Sequence, residues 1–287
     1  MLKQRVITAL VLLAIFLPAL FSPDTRYFVA LTLLLICAGA WEWGRLNGWT
    51  DRGALWGAVL CGAAGVLALQ TGWAQQTLPT LWALVGGAWV LLGVWMIRAG
   101  VAGWPQAPRT LRWLGGLLLL VVAWLAMVQA RQRGVNFLLS VLTLVWVADI
   151  AAYFAGRALG GRFFAQKLAP AISPGKTWEG AVGGLLGVLL LGLLWTRWDL
   201  AQGPTWGVSL HSLLWHRGPG LALLGWAFLT AMSIVGDLVE SLVKRSAGVK
   251  DSSGLLPGHG GVLDRVDALL PALPLAMMLV SWMEMSA

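Results

Sequence analysis

Apolar residues run through this chain in long blocks, and polar residues are confined to the short breaks between them. Nine blocks approach the about 20 residues that an α-helix needs to cross a hydrocarbon core. They lie at roughly 6–21, 27–43, 54–69, 78–97, 114–129, 137–154, 181–195, 221–243 and 266–282. Only the short stretch WEWGRLNGWTDRG parts the second from the third. The alternating segments of about 10 residues that would mark a transmembrane β-barrel are absent. The pattern predicts an all-α, polytopic integral membrane protein of about nine transmembrane helices. The opening MLKQRVITALVLLAIFLPALFSPD is basic and then apolar, like a signal peptide, but no clear A-x-A cleavage site follows. We expect it to be an uncleaved first helix. Pro271 and Pro274 are expected to kink the last helix, because each removes a backbone donor.

Composition agrees. The chain is 59% hydrophobic and 11% charged, against about 25% charged in ordinary soluble domains, and its mean hydropathy is +0.78. Cys37 and Cys61 sit inside apolar blocks without metal-type spacing and read as small buried hydrophobes. Charge then sets orientation. With the N-terminus in the cytoplasm, only Arg26, Arg131, Arg133, Arg197 and Arg217 of the 20 Lys and Arg fall on the far side, leaving 15 inside. That bias follows the positive-inside rule and puts the C-terminus outside. The net charge of +8 then reads as topology signal and attraction to anionic lipid, with no call for nucleic acid. Many of the 19 Trp sit near block ends and suit interfacial anchoring.

The acidic residues change the picture. Asp24, Glu42, Asp51 and Asp199 read as loop or block-end residues, and Glu284 lies near the C-terminus. Asp149, Glu179, Asp237, Glu240, Asp251, Asp264 and Asp267 lie in or beside apolar blocks of the second half. An Asp at the centre of a membrane helix costs about 2.5–3.5 kcal/mol on insertion scales, so such residues are functional candidates. SIVGDLVESLVKR places Asp237, Glu240, Ser241 and Lys244 on one helical face, and VADIAAYFAGR does the same for Asp149, Tyr153 and Arg157. VLDRVD sets Asp264 and Asp267 one turn apart. The alternative is salt bridging within a bundle, but three polar faces converging at one end are better explained by a site. Carboxylates without Cys, and with few His, suit Mg²⁺ or Mn²⁺. Lys244, Arg245, Lys250 and Arg265 suit phosphate oxygens, and the PGHGG run at His259, Gly260 and Gly261 offers backbone N–H groups to an anion. This is the set of parts used in phosphoryl or nucleotidyl transfer. SPGKT resembles a P-loop only superficially, since Pro170 stands where the first Gly is required. Ser173, Lys176, Thr177 and Glu179 read as groups at the mouth of a span, or more plainly as a capped helix start with one snorkelling Lys.

The segment SIVGDLVESLVKRSAGVKDSSGLLPGHGGVLDRVD, residues 233–267, resembles the signature of the phosphatidate cytidylyltransferases, or CDP-diglyceride synthases. The pattern S-x-x-K-R-x(4)-K-D, then P-x-H-G-G-x-x-D-R-x-D, is matched throughout, and WVADIAAYFAGRALGGR and SPGKTWEG are similar to the preceding motifs. Gly161 departs from the Lys of many members. The specific resemblance covers about residues 146–267, and residues 1–130 are similar only as a bundle of spans. It implies transfer of CMP from CTP to phosphatidic acid on the cytoplasmic face of the cell inner membrane. It also implies Mg²⁺ dependence, a second, monovalent cation such as K⁺, and a homodimer. By motif position it makes Asp237 and Asp264 the metal ligands, with Asp267 supporting and Lys244 catalytic. It makes Asp149, Tyr153, Ser173, Lys176, Thr177, Glu240, Ser241, Arg245, Lys250, Asp251, His259, Gly260, Gly261 and Arg265 substrate-binding. We accordingly divide the chain into an N-terminal transmembrane bundle, 1–130, and a C-terminal transmembrane catalytic region, 131–287. The rival readings are a related lipid or polyprenol kinase and, from another class, an ion-coupled transporter. The transporter would place acids near the bilayer centre in two related halves.

Overall fold

Each apolar block is a helix in the computed structural model, which describes residues 2–203 and 207–285. The helices are α1 (Leu2–Phe21), α2 (Thr25–Leu46), α3 (Asp51–Gln70), α4 (Pro79–Gly103), α5 (Arg109–Arg133), α6 (Val135–Leu159), α7 (Trp178–Gln202), α8 (Leu210–Arg217), α9 (Pro219–Ser246), α10 (Leu263–Val266) and α11 (Leu269–Met285). Among the described residues nine stretches are long and apolar enough to span a bilayer, α10 and α11 together forming the ninth. The helices outrun the apolar blocks because polar residues close their ends. Asp24, Thr50 and Thr177 each accept a backbone N–H in the first turn of the helix they cap. The short α8, capped by Ser209, has no counterpart among the expected spans, since eight residues carry too little periodicity to stand out.

Two expectations are corrected. The last span is interrupted at Asp267 and Ala268, ahead of both prolines. Pro271 falls in the first turn of α11, where its missing N–H needs no partner, and Pro274 lies within an unbroken helix. The tryptophans of WEWGRLNGW and GWPQAPRTLRW are not simply anchored in the interface. Trp104 and Trp113 are buried, meeting Trp43 and Trp49 at ring separations of 5.9 and 5.0 Å.

Small residues let two helices approach until backbones touch. A Cβ at Gly180 or Gly184 of α7 would sit 2.9 or 2.8 Å from the carbonyl oxygens of Ala152 and Ala148 on α6. Gly183 and Gly187 lie as tightly against the methyl groups of Ala155 and Ala151. Close packing of this kind holds membrane helices together where no hydrophobic drive exists, and it makes α6–α7 a stiff hairpin carrying Asp149 and Tyr153.

Side-chain contacts sort the loops into two ends. At one, Arg131 donates to the carbonyls of Leu20 and Ser22, Gln129 reaches Trp73 and Gln76, and Arg133 pairs with Glu284. At the other, Thr8 donates to Pro257 O and Trp43 to Trp113 O. The two chain termini therefore lie at opposite ends. The basic residues divide as the sequence count has it, with the richer set at the N-terminal end.

Candidate active site

The site is built at the N-terminal end, where α6, α7 and α9 converge. A cleft of about 520 Å³ is lined by Asp149, Tyr153 and Arg157 of α6, Lys176 and Thr177 before α7, and Asp237 of α9, among others. Lys176 Nζ lies 2.7 Å from Asp237 Oδ2. Ser241 donates to Asp237 Oδ1 at 3.2 Å, one helical turn along the same face. Arg157 donates to the Tyr153 hydroxyl at 3.1 Å. Thr177 both lines the cleft and caps α7, so the plain reading of SPGKT as a helix start holds together with a site role for Lys176. Ser173 is in the tight turn that precedes it, where its N–H donates to Ala169 O, and it is not among the cleft residues.

A second node is buried beneath the 247–262 loop. Lys244 of α9 pairs with Glu240 one turn earlier and with Asp264 Oδ1 at 2.5 Å. Asp264 Oδ2 accepts from the N–H and hydroxyl of Ser252, each at 2.8 Å, and from Gly261 N–H at 2.7 Å. Asp267, at the break between α10 and α11, is capped by Ala268 N–H at 2.8 Å. Asp237 lines the cleft, and Glu240 and Lys244 of the same helix lie in the node. The α9 face of Asp237, Glu240, Ser241 and Lys244 therefore joins the cleft to the node, as the helical spacing predicts.

Other candidates fall outside this core. Arg245, Lys250, Asp251 and Arg265 are exposed at the rim, with Arg245 donating to Val249 O. His259 is half-buried, and its Nδ1 has no partner. The glycines sit against the protein's own carboxylate. The N–H of Gly261 is already given to Asp264, so that backbone cradles the protein's own carboxylate. Gly260 has φ +80°, and a side chain there would strike Asp264 Oδ2.

Two acids gain functions that spacing did not reveal. Glu179 accepts the N–H groups of Phe163 and Phe164 at 3.0 Å each and pins the loop beside the cleft. Glu42, read from sequence as a block-end residue, is fully buried at 0% exposure and accepts bonds from Ser252, Ser253, Val262 and Leu263. The available signal was an acid inside the last turns of an apolar block.

Oxygen donors of this kind suit a hard divalent cation. Among the described residues no three acidic, His or Cys side chains form a ready-made metal cage. A Mg²⁺ ion needs no such cage, since it is usually held by one or two carboxylates together with substrate phosphates. Asp149 accepts no hydrogen bond among the described residues, and Asp237 and Asp267 keep lone pairs open. Asp264 has only Oδ1 to offer, and Lys244 now holds it.

Residues 3–283 match the model of the Cytidylyltransferase family. A phosphatidate cytidylyltransferase of Pseudomonas aeruginosa is 43% identical over 283 residues, covering 96% of this chain and 95% of its own. Those of Haemophilus influenzae and Brucella suis are 37% and 39% identical, covering 96% and 94% of this chain and 96% and 90% of theirs.

Proposed function

The chain belongs to the cytidylyltransferase family, and on that premise we propose that it transfers CMP from CTP to phosphatidic acid, leaving CDP-diacylglycerol in the membrane and releasing pyrophosphate. The carrying observation is the pairing of carboxylates and cations on one cleft, Asp149 and Asp237 facing Lys176 and Arg157, at the basic end of the bundle. Tyr153, Phe154 and Ile150 on α6 are exposed on the helix surface, which suits a lipid substrate arriving from the side while CTP arrives from water.

The nucleophile is a phosphate-monoester oxygen of the lipid. A bond forms from it to the α-phosphorus of CTP. The bond from that phosphorus to the β-bridging oxygen breaks, and its electron pair leaves with pyrophosphate. Both reactants are polyanions, and two unit charges about 4 Å apart repel by about 4 kcal/mol at an effective dielectric of about 20. Lys176, Arg157 and Lys244 offset that repulsion and stabilise the leaving group. Asp237, with Asp149 and Asp267, would hold Mg²⁺ or Mn²⁺, which when bound supplies Lewis-acid neutralisation of the phosphates. Asp264 would join through Oδ1. The concentration of basic residues at the site end supports a cytoplasmic active site in the inner membrane.

Detergent-purified protein given phosphatidic acid and labelled CTP is expected to form CDP-diacylglycerol, to stop in EDTA, and to recover with Mg²⁺ or Mn²⁺ but not Zn²⁺. No product would overturn the reaction, and full turnover after exhaustive chelation would remove the cation. For orientation, Leu255→Cys and Gln75→Cys, each in a background lacking Cys37 and Cys61, place single thiols at opposite ends. An impermeant maleimide should label Gln75→Cys in intact cells and Leu255→Cys only after lysis. The reverse pattern would put the site on the wrong side for CTP.

A further inference from the structure

Glu42 stands in the last turns of α2, far in sequence from every motif of the site, and its two oxygens meet donors more than 200 positions later. Oε1 accepts from Val262 N–H at 2.9 Å and Ser253 Oγ at 2.5 Å. Oε2 accepts from Leu263 N–H at 2.8 Å and lies 3.3 Å from Ser252 Oγ. Among the described residues no Lys, Arg or His pairs with it. A buried carboxylate without a cation persists only when its lone pairs are hydrogen-bonded, and here one loop supplies every donor.

That same loop orients Asp264. Ser252 touches both carboxylates, and Gly261 N–H, which holds Asp264, immediately precedes the two N–H groups that hold Glu42. The fit leaves no room. A Cβ on Gly261 would lie 2.3 Å from Glu42 Oε1 and 2.1 Å from Ser252 Oγ. The glycine required at this place in PGHGG is thus explained by a residue in the second helix.

We infer that Glu42 is a positioning residue for Asp264: by fixing the 252–263 segment it presents Asp264 Oδ1 to Lys244. The inference rests on Asp264 taking part in the proposed transfer. Glu42 touches no substrate. Its role is to keep that connection in one register.

The test uses the full-length purified chain carrying Glu42→Gln. The change is isosteric, but each oxygen of Glu42 faces a backbone N–H, so either orientation of the amide sets an NH₂ against a donor. The expected result is a fall in kcat on the order of 100-fold, as a small misplacement of a reacting group produces. The KM values for CTP and phosphatidic acid should stay within about twofold, because substrate binding is not what is lost. Amide hydrogen exchange should speed up across 252–263 and not elsewhere. Should that variant not purify as a monodisperse protein, Gly261→Ala pushes on the same contact from the loop side and should give the same split. Wild-type turnover in whichever variant is measured, or a rise in KM with kcat intact, would overturn the inference, and so would faster exchange throughout the chain. Full activity in Asp264→Asn would instead remove the reading beneath it, whereas an inactive Asp264→Asn beside an active Glu42→Gln would remove this link alone.

Discussion

Both ends of the bundle carry carboxylates, and they use them in opposite ways. At the end away from the site, Asp199 accepts from Asn136 Nδ2 at 2.9 Å, Ser212 Oγ at 2.6 Å and Ser209 N–H at 3.2 Å, and also from the Ser209 hydroxyl. Its lone pairs are taken up inside the protein, tying α7 to α6 and to the start of α8. At the site end, Asp149 accepts no hydrogen bond among the described residues, and Asp267 takes the N–H of its neighbour. Asp237 holds one serine at 3.2 Å and a lysine. A saturated carboxylate is a structural device, because every acceptor has its donor. One left with open lone pairs at a cleft is an unfinished set, and such groups concentrate where a ligand will complete it.

The comparison breaks most visibly under Asp→Asn. Asp237→Asn and Asp264→Asn should each lower kcat by about 10²–10³-fold or more, the range seen when one preorganised group at developing charge is lost. Asp199→Asn should leave turnover within a few-fold and instead cost about 1–3 kcal/mol of stability, the penalty of mismatched buried donors. Turnover and thermal midpoints measured on the same preparations decide this, and the opposite assignment of effects would erase the distinction. Next in size is Lys176→Gln, which removes the cation from Asp237. A hydrogen bond between charged groups contributes about 1.5–3 kcal/mol, so kcat/KM for CTP should fall by roughly tenfold to a hundredfold.

The smallest effect concerns the saturated end. His211 of α8 is fully buried between Trp195 and Trp226, and burial pulls its pKa from 6.5 to about 4, with Asp199 opposing. The unfolded chain therefore binds the extra proton first. Stability falls as pH drops below about 6.5 and stops falling near 4, by about 2 kcal/mol between pH 7 and pH 5. His211→Phe should flatten the pH dependence of the thermal midpoint over that window. A curve that keeps its slope would mean that another group carries it.

Sequence pattern made the fold largely legible. A span is a local property, and each block of apolar residues declares its own helix. The α9 face was legible for the same reason, since Asp237, Glu240, Ser241 and Lys244 need only the period of one helix. Glu42 was not legible. An acid near a block end looks like an interfacial residue, and its donors are 220 and 221 positions away. The bond from Gly261 N–H to Asp264, three positions on, was hidden for another reason, because local chemistry says that it can hold an anion but not which one. The break at Asp267 and Ala268 depends on how the loop is tethered, which prolines alone do not determine.

The tether also sets an order of assembly. Glu42 leaves the ribosome about 220 residues before the N–H groups that will satisfy it. At about 5–20 residues per second that interval is about 10–40 s. For that time α2 carries an acid whose partners do not yet exist, at a position where insertion of a charge is penalised. The second helix can settle fully only when the ninth span arrives, so a chain stopped before α10 holds an unfinished second helix as well as an unfinished site. Completion of this protein is registered at its beginning.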